Sequence, residues 1–301
     1  MIEGQEDVTW EDWLELARAC ERLGFEALFR SDHYLSVMGG GERGALDAWA
    51  TVAGLAAVTR TLRLGTLVSP ATFRHPSVLA KMVVTADHIS GGRVELGLGT
   101  GWLEAEHVAY GFPFPPLRER MDRMAEQLAI IHGSWAEGPF DHDGEHWRVR
   151  GLDAQPKPVQ RPHPPLLMGG SAARRGAGLA ARWASEYNLV HAAPDAMRAA
   201  RARLDAACAE AGRDPATLPL SLMHQCVIGA DEAELRDRAA VFGKRPDELR
   251  REVLAGTPDE LVARLREYAD AGVQRVMLQH LAHRDTAALE LLADAVVPAL
   301  A

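Results

Sequence analysis

Cysteine is scarce. Cys20, Cys208 and Cys226 are odd in number and far apart in the 301-residue chain, which excludes a disulfide scaffold and any paired-cysteine zinc spacing. Reduced, partly buried thiols are expected. Positive charge is also short: 33 Lys and Arg against 42 Asp and Glu leave a formal net charge of -9. A nucleic-acid partner or an anionic membrane surface would need a basic face, so neither is expected. No apolar run is long enough to span a bilayer, and the N-terminus lacks the basic-then-apolar pattern of a secretory signal. A cytoplasmic protein acting on a small molecule is expected. Three motifs are missing as well. No Gly-x-Gly-x-x-Gly opens the first unit, no Gly-x-Ser-x-Gly elbow occurs, and no His/Cys/Asp cluster has metal-ligand spacing. His142 and His146 are expected to be exposed on a hairpin rather than to bind metal.

What is present is a repeating strand-then-helix rhythm. Apolar positions at helical spacing predict helices over 9–24, 47–59, 77–89 and 117–132, with Gly24 and Gly91-Gly92 as stops. Short apolar runs predict strands at "FEALFR", "LRLGTLVS" and "RVELGLGTG". The rhythm breaks over 134–165, a Gly-, Pro- and aromatic-rich excursion in which "FDHDGEHWRV" reads as a hairpin turning at Asp143-Gly144. It resumes with strands near 165–170, 186–190, 219–229 and 273–280. Helices are expected over 171–182, 194–212, 231–255, 257–271 and 284–300. Even repetition without a second domain predicts a single domain over 1–301: an α/β (β/α)8 TIM barrel with an insertion around 134–165. Its first strand is truncated. Either Met1 to Glu3 form a stub, or the sequence begins inside that strand.

In such a barrel the C-terminal strand ends carry the chemistry. The second strand ends in Arg30-Ser31-Asp32-His33-Tyr34. An imidazole titrates near neutrality, so His33 is a candidate proton donor or acceptor, with Asp32 either its partner or a loop anchor. In "MGGSAARRG" (168–176) Gly169 and Gly170 admit close backbone approach, and Ser171 can cap the next helix or bond an anion. Arg174 and Arg175 add charge suited to phosphate. The plain alternative is a glycine turn, a serine cap and two solvated arginines. In "LGLGTGW" (96–102), Thr100 and Gly101 either seat a flat ligand against backbone beside Trp102 or form a tight turn.

The run "RLGFEALFRSDHY", the block from "LRLGTLVSPATFRHP" through "SGGRVELGLGTGW" and "YGFPFP", and the "GGS" turn occur in this order. Together they resemble the luciferase-like superfamily of flavin and deazaflavin oxidoreductases, most closely its coenzyme F420-dependent branch. The resemblance covers roughly residues 9–190 and returns in the last barrel unit. It implies a homodimeric barrel enzyme with the cofactor ring at the C-terminal mouth, catalytic His33 and Asp32, and a cis-peptide bulge around Ser69, with Pro70 a candidate for the cis bond. Cofactor contacts are implied at Ser69, Thr100, Gly101, Gly169, Gly170, Ser171 and Arg174. The implied reaction is hydride transfer between F420 and a small organic substrate. The alternative is an FMN-dependent monooxygenase, whose reduced flavin activates oxygen. F420 also carries an acidic tail, for which Arg43, Arg74 and Arg161 are candidate contacts. One departure stands out: sugar-phosphate dehydrogenases of this branch carry a glutamate after the "GTG" turn, where this chain has Trp102, with Glu104 the next acid.

Overall fold

The computed structural model describes residues 1–38 and 43–300. In chain order the elements are α1 (Trp10–Arg22), β1 (Ala27–Arg30), α2 (Ala48–Val58), β2 (Arg63–Thr66), β3 (Ser69–Pro70), α3 (Pro76–Ser90) and β4 (Val94–Gly99). Next come α4 (Glu104–Tyr110), α5 (Leu117–Trp135), β5 (Phe140–Asp143), β6 (Arg148–Leu152), β7 (Leu166–Gly169), α6 (Arg174–Trp183) and β8 (Glu186–Val190). The chain ends with α7 (Pro194–Glu210), β9 (Leu220–Ile228), α8 (Glu232–Val241), α9 (Pro246–Glu252), β10 (Leu254–Gly256), α10 (Pro258–Asp270), β11 (Val273–Gln279) and α11 (Thr286–Leu291). The alternation expected from the sequence is therefore present. Three readings shift: 231–255 is two helices parted at Gly243 and followed by the short strand β10, the helix expected from 171 begins at Arg174, and the helix expected over 284–300 is α11 followed by a π-helical stretch over Leu292–Val296.

The elements fall into two compact units. The first holds residues 1–3, 11–28 and 170–301. In it β8, β9 and β11 run parallel, with Tyr187 opposite Leu220 and Met277 opposite Met223, and β10 pairs the far end of β9. Met1 and Glu3 flank the bridge residue Ile2. The Met1 ammonium donates to the Leu278 carbonyl at 2.9 Å, and the His280 N–H donates to the Met1 carbonyl at 3.0 Å. Met1 to Glu3 thus contribute a single bridge, which either reading of the first strand allows.

The second unit holds residues 4–10 and 29–169. Here β2, β4 and β7 are parallel neighbours, with Leu64 opposite Val94 and Leu96 opposite Leu166, and β3 lies beside the end of β4. Apolar strand residues are buried on both faces, as a sheet under covering helices requires: Val94, Leu96, Leu98, Leu166 and Leu167 are all fully enclosed. The excursion returns along α3, because the buried Asp87 carboxylate accepts the Val159 N–H (2.7 Å), the Gln160 N–H (3.0 Å) and the Gln160 side-chain amide (2.8 Å). The hairpin is present, but Asp143 pairs with Arg148, so the turn spans 144–147 rather than 143–144. Glu126 of α5 fills that turn, accepting the N–H groups of Glu145, His146 and Trp147 and facing His142 Nε2 at 3.2 Å. His142 and His146 are consequently half-buried, not exposed.

Between β2 and β3 the Leu67–Val68 peptide is cis, which puts the cis bond before Ser69 and not at Ser69–Pro70. The Val68 side chain lies where β-carbons on Gly97, Gly99 and Gly169 would stand, with contacts of 2.9, 2.7 and 3.3 Å. Those glycines are small to admit Val68. Gly97 is the tightest, since its β-carbon would also collide with the Thr66 carbonyl oxygen, and a backbone atom cannot step aside. Gly97→Ala is expected to destabilise the protein by about 2 kcal/mol through overpacking, read by urea denaturation; an unchanged midpoint would refute that account.

In the first unit, burial depresses His280 to about 4, with the nearby Met1 ammonium acting the same way, and burial likewise takes His224 to about 4. Both folded-state values lie below the ordinary value of 6.5. The unfolded chain therefore binds more protons in this window, and stability present above pH 6.5 is lost as the pH falls toward 4. A His280→Gln variant is expected to lose less melting temperature than the wild type between those limits. Parallel curves would argue against the buried neutral imidazole.

Candidate active site

The polar crowding after β1 resolves into a buried network within the second unit. Asp32 is 1% exposed and receives the Arg74 guanidinium through both oxygens, at 2.6 and 3.2 Å. Ser69 Oγ donates to Asp32 at 2.6 Å and accepts the Trp49 indole N–H at 3.0 Å, so Ser69 is enclosed and doubly bonded. Arg74 also reaches Asp47 (2.8 Å) and the Tyr34 hydroxyl oxygen (3.1 Å), and Tyr34 donates to Asp47 at 2.9 Å. Burial opposes the Arg74 charge, but Asp32, Tyr34 and Asp47 together outweigh it and raise the pKa above its ordinary value. Burial likewise opposes ionised Asp47, yet the Ala50 N–H and Arg74 hold it below the usual carboxylate range. Burial pushes the Tyr34 hydroxyl well above its ordinary value, so it stays a donor.

His33 points elsewhere. Its Nδ1 lies 2.8 Å from Oε1 of Glu106, a carboxylate with no solvent exposure whose Oε2 accepts the Tyr34 N–H at 3.1 Å. A carboxylate on Nδ1 selects the tautomer protonated there and leaves Nε2 as the basic nitrogen, the arrangement a proton-transfer imidazole needs. Asp32 is thus the anchor of the loop and Glu106 the partner of His33. Sequence reading missed Glu106 and stopped at Glu104, which is exposed in the first turn of α4. Glu106 and His107 are both buried in that short helix, and no local spacing in the sequence singled Glu106 out. His107 is held in the packing: its Nδ1–H donates to the Leu103 carbonyl at 2.7 Å, and its Nε2 lies 2.7 Å from the Thr72 hydroxyl.

Tyr34, Phe73, Tyr110 and Phe112 stack on one another at centroid distances of 4.8 to 6.0 Å, which makes them a packed cluster. Trp102 is different: it is 63% exposed and meets the His33 ring edge-on at 5.6 Å. Gly101 adopts φ 77° in the turn before it, and Thr100 is half-buried beside it. The arginines proposed for an acidic tail each face a carboxylate, Arg43 with Glu6, Arg74 with Asp32 and Asp47, and Arg161 with Glu137 at 3.6 Å.

The glycine turn straddles the boundary of the two units, with Gly169 ending β7 against Val68. Gly170, Ser171 and Arg174 belong to the first unit. Gly170 has φ 155° and Ala172 φ 52°, and the Ala172 N–H donates to the Tyr187 hydroxyl at 2.9 Å. Arg203 donates to the Ser171 and Ala172 carbonyls. The residue capping α6 is Ala173 rather than Ser171, and no side chain caps that end. Ser171, Arg174 and Arg175 are exposed, and the first turn of α6 carries no acid. Amides at a helix start with this charge suit a phosphate.

Removing Arg74 leaves the enclosed Asp32 carboxylate without its counter-charge. Arg74→Met is expected to cost about 3–5 kcal/mol, with Asp32→Asn in the same chain restoring part of the loss. Equal stability of wild type and single variant by urea titration would show that the pair does not hold the loop.

Residues 2–246 match the family described as luciferase-like monooxygenase. The chain is 31% identical over 171 residues to an FMNH2-dependent dimethylsulfone monooxygenase of Pseudomonas putida, covering 56% of this chain and 46% of that protein, so it spans under half the length of that relative. An F420-dependent glucose-6-phosphate dehydrogenase of Microbacterium testaceum is 28% identical over 317 residues, with 95% and 92% of the two chains covered. The crystal structure of the monooxygenase RslO1 from Streptomyces bottropensis superposes with a TM-score of 0.81 at 26% identity, over 97% of this chain and 94% of that one. Strand-helix alternation, the one-bridge first strand and this family match agree on the α/β barrel fold, and the chain belongs to the luciferase-like monooxygenase family.

Proposed function

We propose that this protein is an F420-dependent oxidoreductase that transfers a hydride between F420 and a small organic substrate. The observation that carries the reading is the His33–Glu106 pair: an imidazole held through Nδ1 by an enclosed carboxylate, in the position where the F420 branch carries its histidine. Coverage supports F420 over FMN. The F420-dependent relative aligns along nearly its whole length, whereas the FMNH2-dependent relative aligns over less than half of its own. The monooxygenase RslO1, also alike over nearly its whole length, and the FMNH2-dependent relative support an FMN-dependent monooxygenase as the second reading.

The uncapped start of α6 with Arg174 and its acid-free first turn fits the phosphate that both cofactors carry. Gly169, Gly170, Ser171 and Arg174 are proposed to hold that phosphate, and Ser69, Thr100 and Gly101 to line the ring site. When bound, F420 would accept a hydride from an alcohol carbon, and F420H2 would return one to a carbonyl carbon. His33 Nε2 takes the proton from a substrate hydroxyl, or returns it to a carbonyl oxygen in the reverse direction. Glu106 fixes the tautomer and stabilises the imidazolium. Asp32 acts by position, tying the residue before His33 to Arg74. We include in this proposal a single functional domain over 1–301 that works as a homodimer.

The test is a titration of the purified protein with F420 and, separately, with FMN, followed by ring absorbance and fluorescence. Saturable F420 binding at least about tenfold tighter than FMN, a difference near 1.4 kcal/mol, is expected. The opposite preference would move the protein to the monooxygenase reading, and binding of neither would end both.

A further inference from the structure

We propose that Trp102 is the substrate platform of this site, and that the substrate it selects is a neutral molecule with a planar or apolar body instead of a phosphorylated sugar. The inference rests on the reading of His33 as the proton-handling residue and adds the substrate class.

A tryptophan that keeps 63% of its surface in water forgoes a large apolar gain, so its exposure beside a titratable ring calls for an occupant. Trp102 is not plugging a gap. The aromatic stack of Tyr34, Phe73, Tyr110 and Phe112 is complete without it, and its only ring contact among the described residues is the edge of His33 at 5.6 Å. Its position is set by Gly101, whose β-carbon would stand 3.0 Å from Thr72 and 3.3 Å from Pro70, so the turn has little room to swing.

The polar groups around His33 are already engaged. Glu106 gives one oxygen to His33 and the other to the Tyr34 N–H. Arg74, the cation of this network, is 9% exposed and faces Asp32 and Asp47, which cancel its charge. A dianionic phosphate brought here would meet two carboxylates on that one guanidinium, an unfavourable sum in a partly dry site. The indole face is what remains for a ligand, and it favours stacking and apolar contact. A substrate held on it would present its hydroxyl or carbonyl to His33.

The test uses the full chain and saturation-transfer NMR with three probes: benzyl alcohol, cyclohexanol and glucose 6-phosphate. Trp102→Leu and Trp102→Phe are compared with wild type after melting curves show all three folded. Benzyl alcohol and cyclohexanol are expected to bind wild type and Trp102→Phe. Trp102→Leu should bind benzyl alcohol about threefold to tenfold more weakly, the loss of one aromatic contact, and glucose 6-phosphate, added with excess inorganic phosphate to occupy the start of α6, should give no saturable signal. Equal binding of benzyl alcohol to wild type and Trp102→Leu, or saturable glucose 6-phosphate binding under those conditions that Trp102→Leu weakens, would overturn the proposal. So would a Trp102→Leu protein that loses F420 or FMN affinity while keeping the probes, since the indole would then carry the cofactor ring. The probes need no cofactor, so a failed cofactor titration and a failed substrate platform give separate signatures.

Discussion

The arrangement around His33 depends on one buried ion pair, Asp32 with Arg74. Two charges are withdrawn from water only where every oxygen and N–H of the pair finds a partner, because an unmatched buried charge costs far more than the pair returns. Ser69, Tyr34 and Asp47 add further partners to the pair. The consequence runs along the chain. Asp32 immediately precedes His33, so fixing the carboxylate fixes the backbone from which the imidazole projects. Arg74 immediately follows Phe73, so the same pair joins the ionic network to the aromatic stack. Glu106 then grips the other side through His33 and the Tyr34 N–H, and the "SDHY" segment is held from two directions.

Backbone space is the second constraint. Val68 stands where three glycines on β4 and β7 leave room, and the interior between those strands is closed by that side chain. Interiors packed to crystal-like density tolerate no extra carbon at such points. Gly97 and Gly99 are therefore small because another residue's side chain must fit, a reason different from accommodating a ligand. Asp87 solves a related problem in the excursion, where irregular backbone would otherwise bury unpaired N–H groups.

Charge balance gives the site its character. Arginines that look like anion receptors in the sequence, Arg43, Arg74 and Arg161, each face an acid, while Arg174 stands exposed at the start of α6, whose first turn carries no acid. An imidazole held by a carboxylate, beside an exposed indole, is equipped for proton transfer to a neutral organic group more than for binding a phosphate.

The sequence by itself determined the alternation of strands and helices and the hairpin in the excursion. Apolar periodicity and glycine stops are local properties, readable within a few turns or strand residues. It also carried the order of motifs that marks the family. Tertiary structure alone decided what each polar residue does. Whether Asp32 partners His33 or anchors a loop turned on Arg74, 42 residues away, and the true partner of His33 was Glu106, 73 residues away. The cis bond fell at Leu67–Val68, and the cap of α6 fell to Ala173 instead of Ser171. Side-chain pairing across such separations is set by packing, which brings together charges that no local pattern relates.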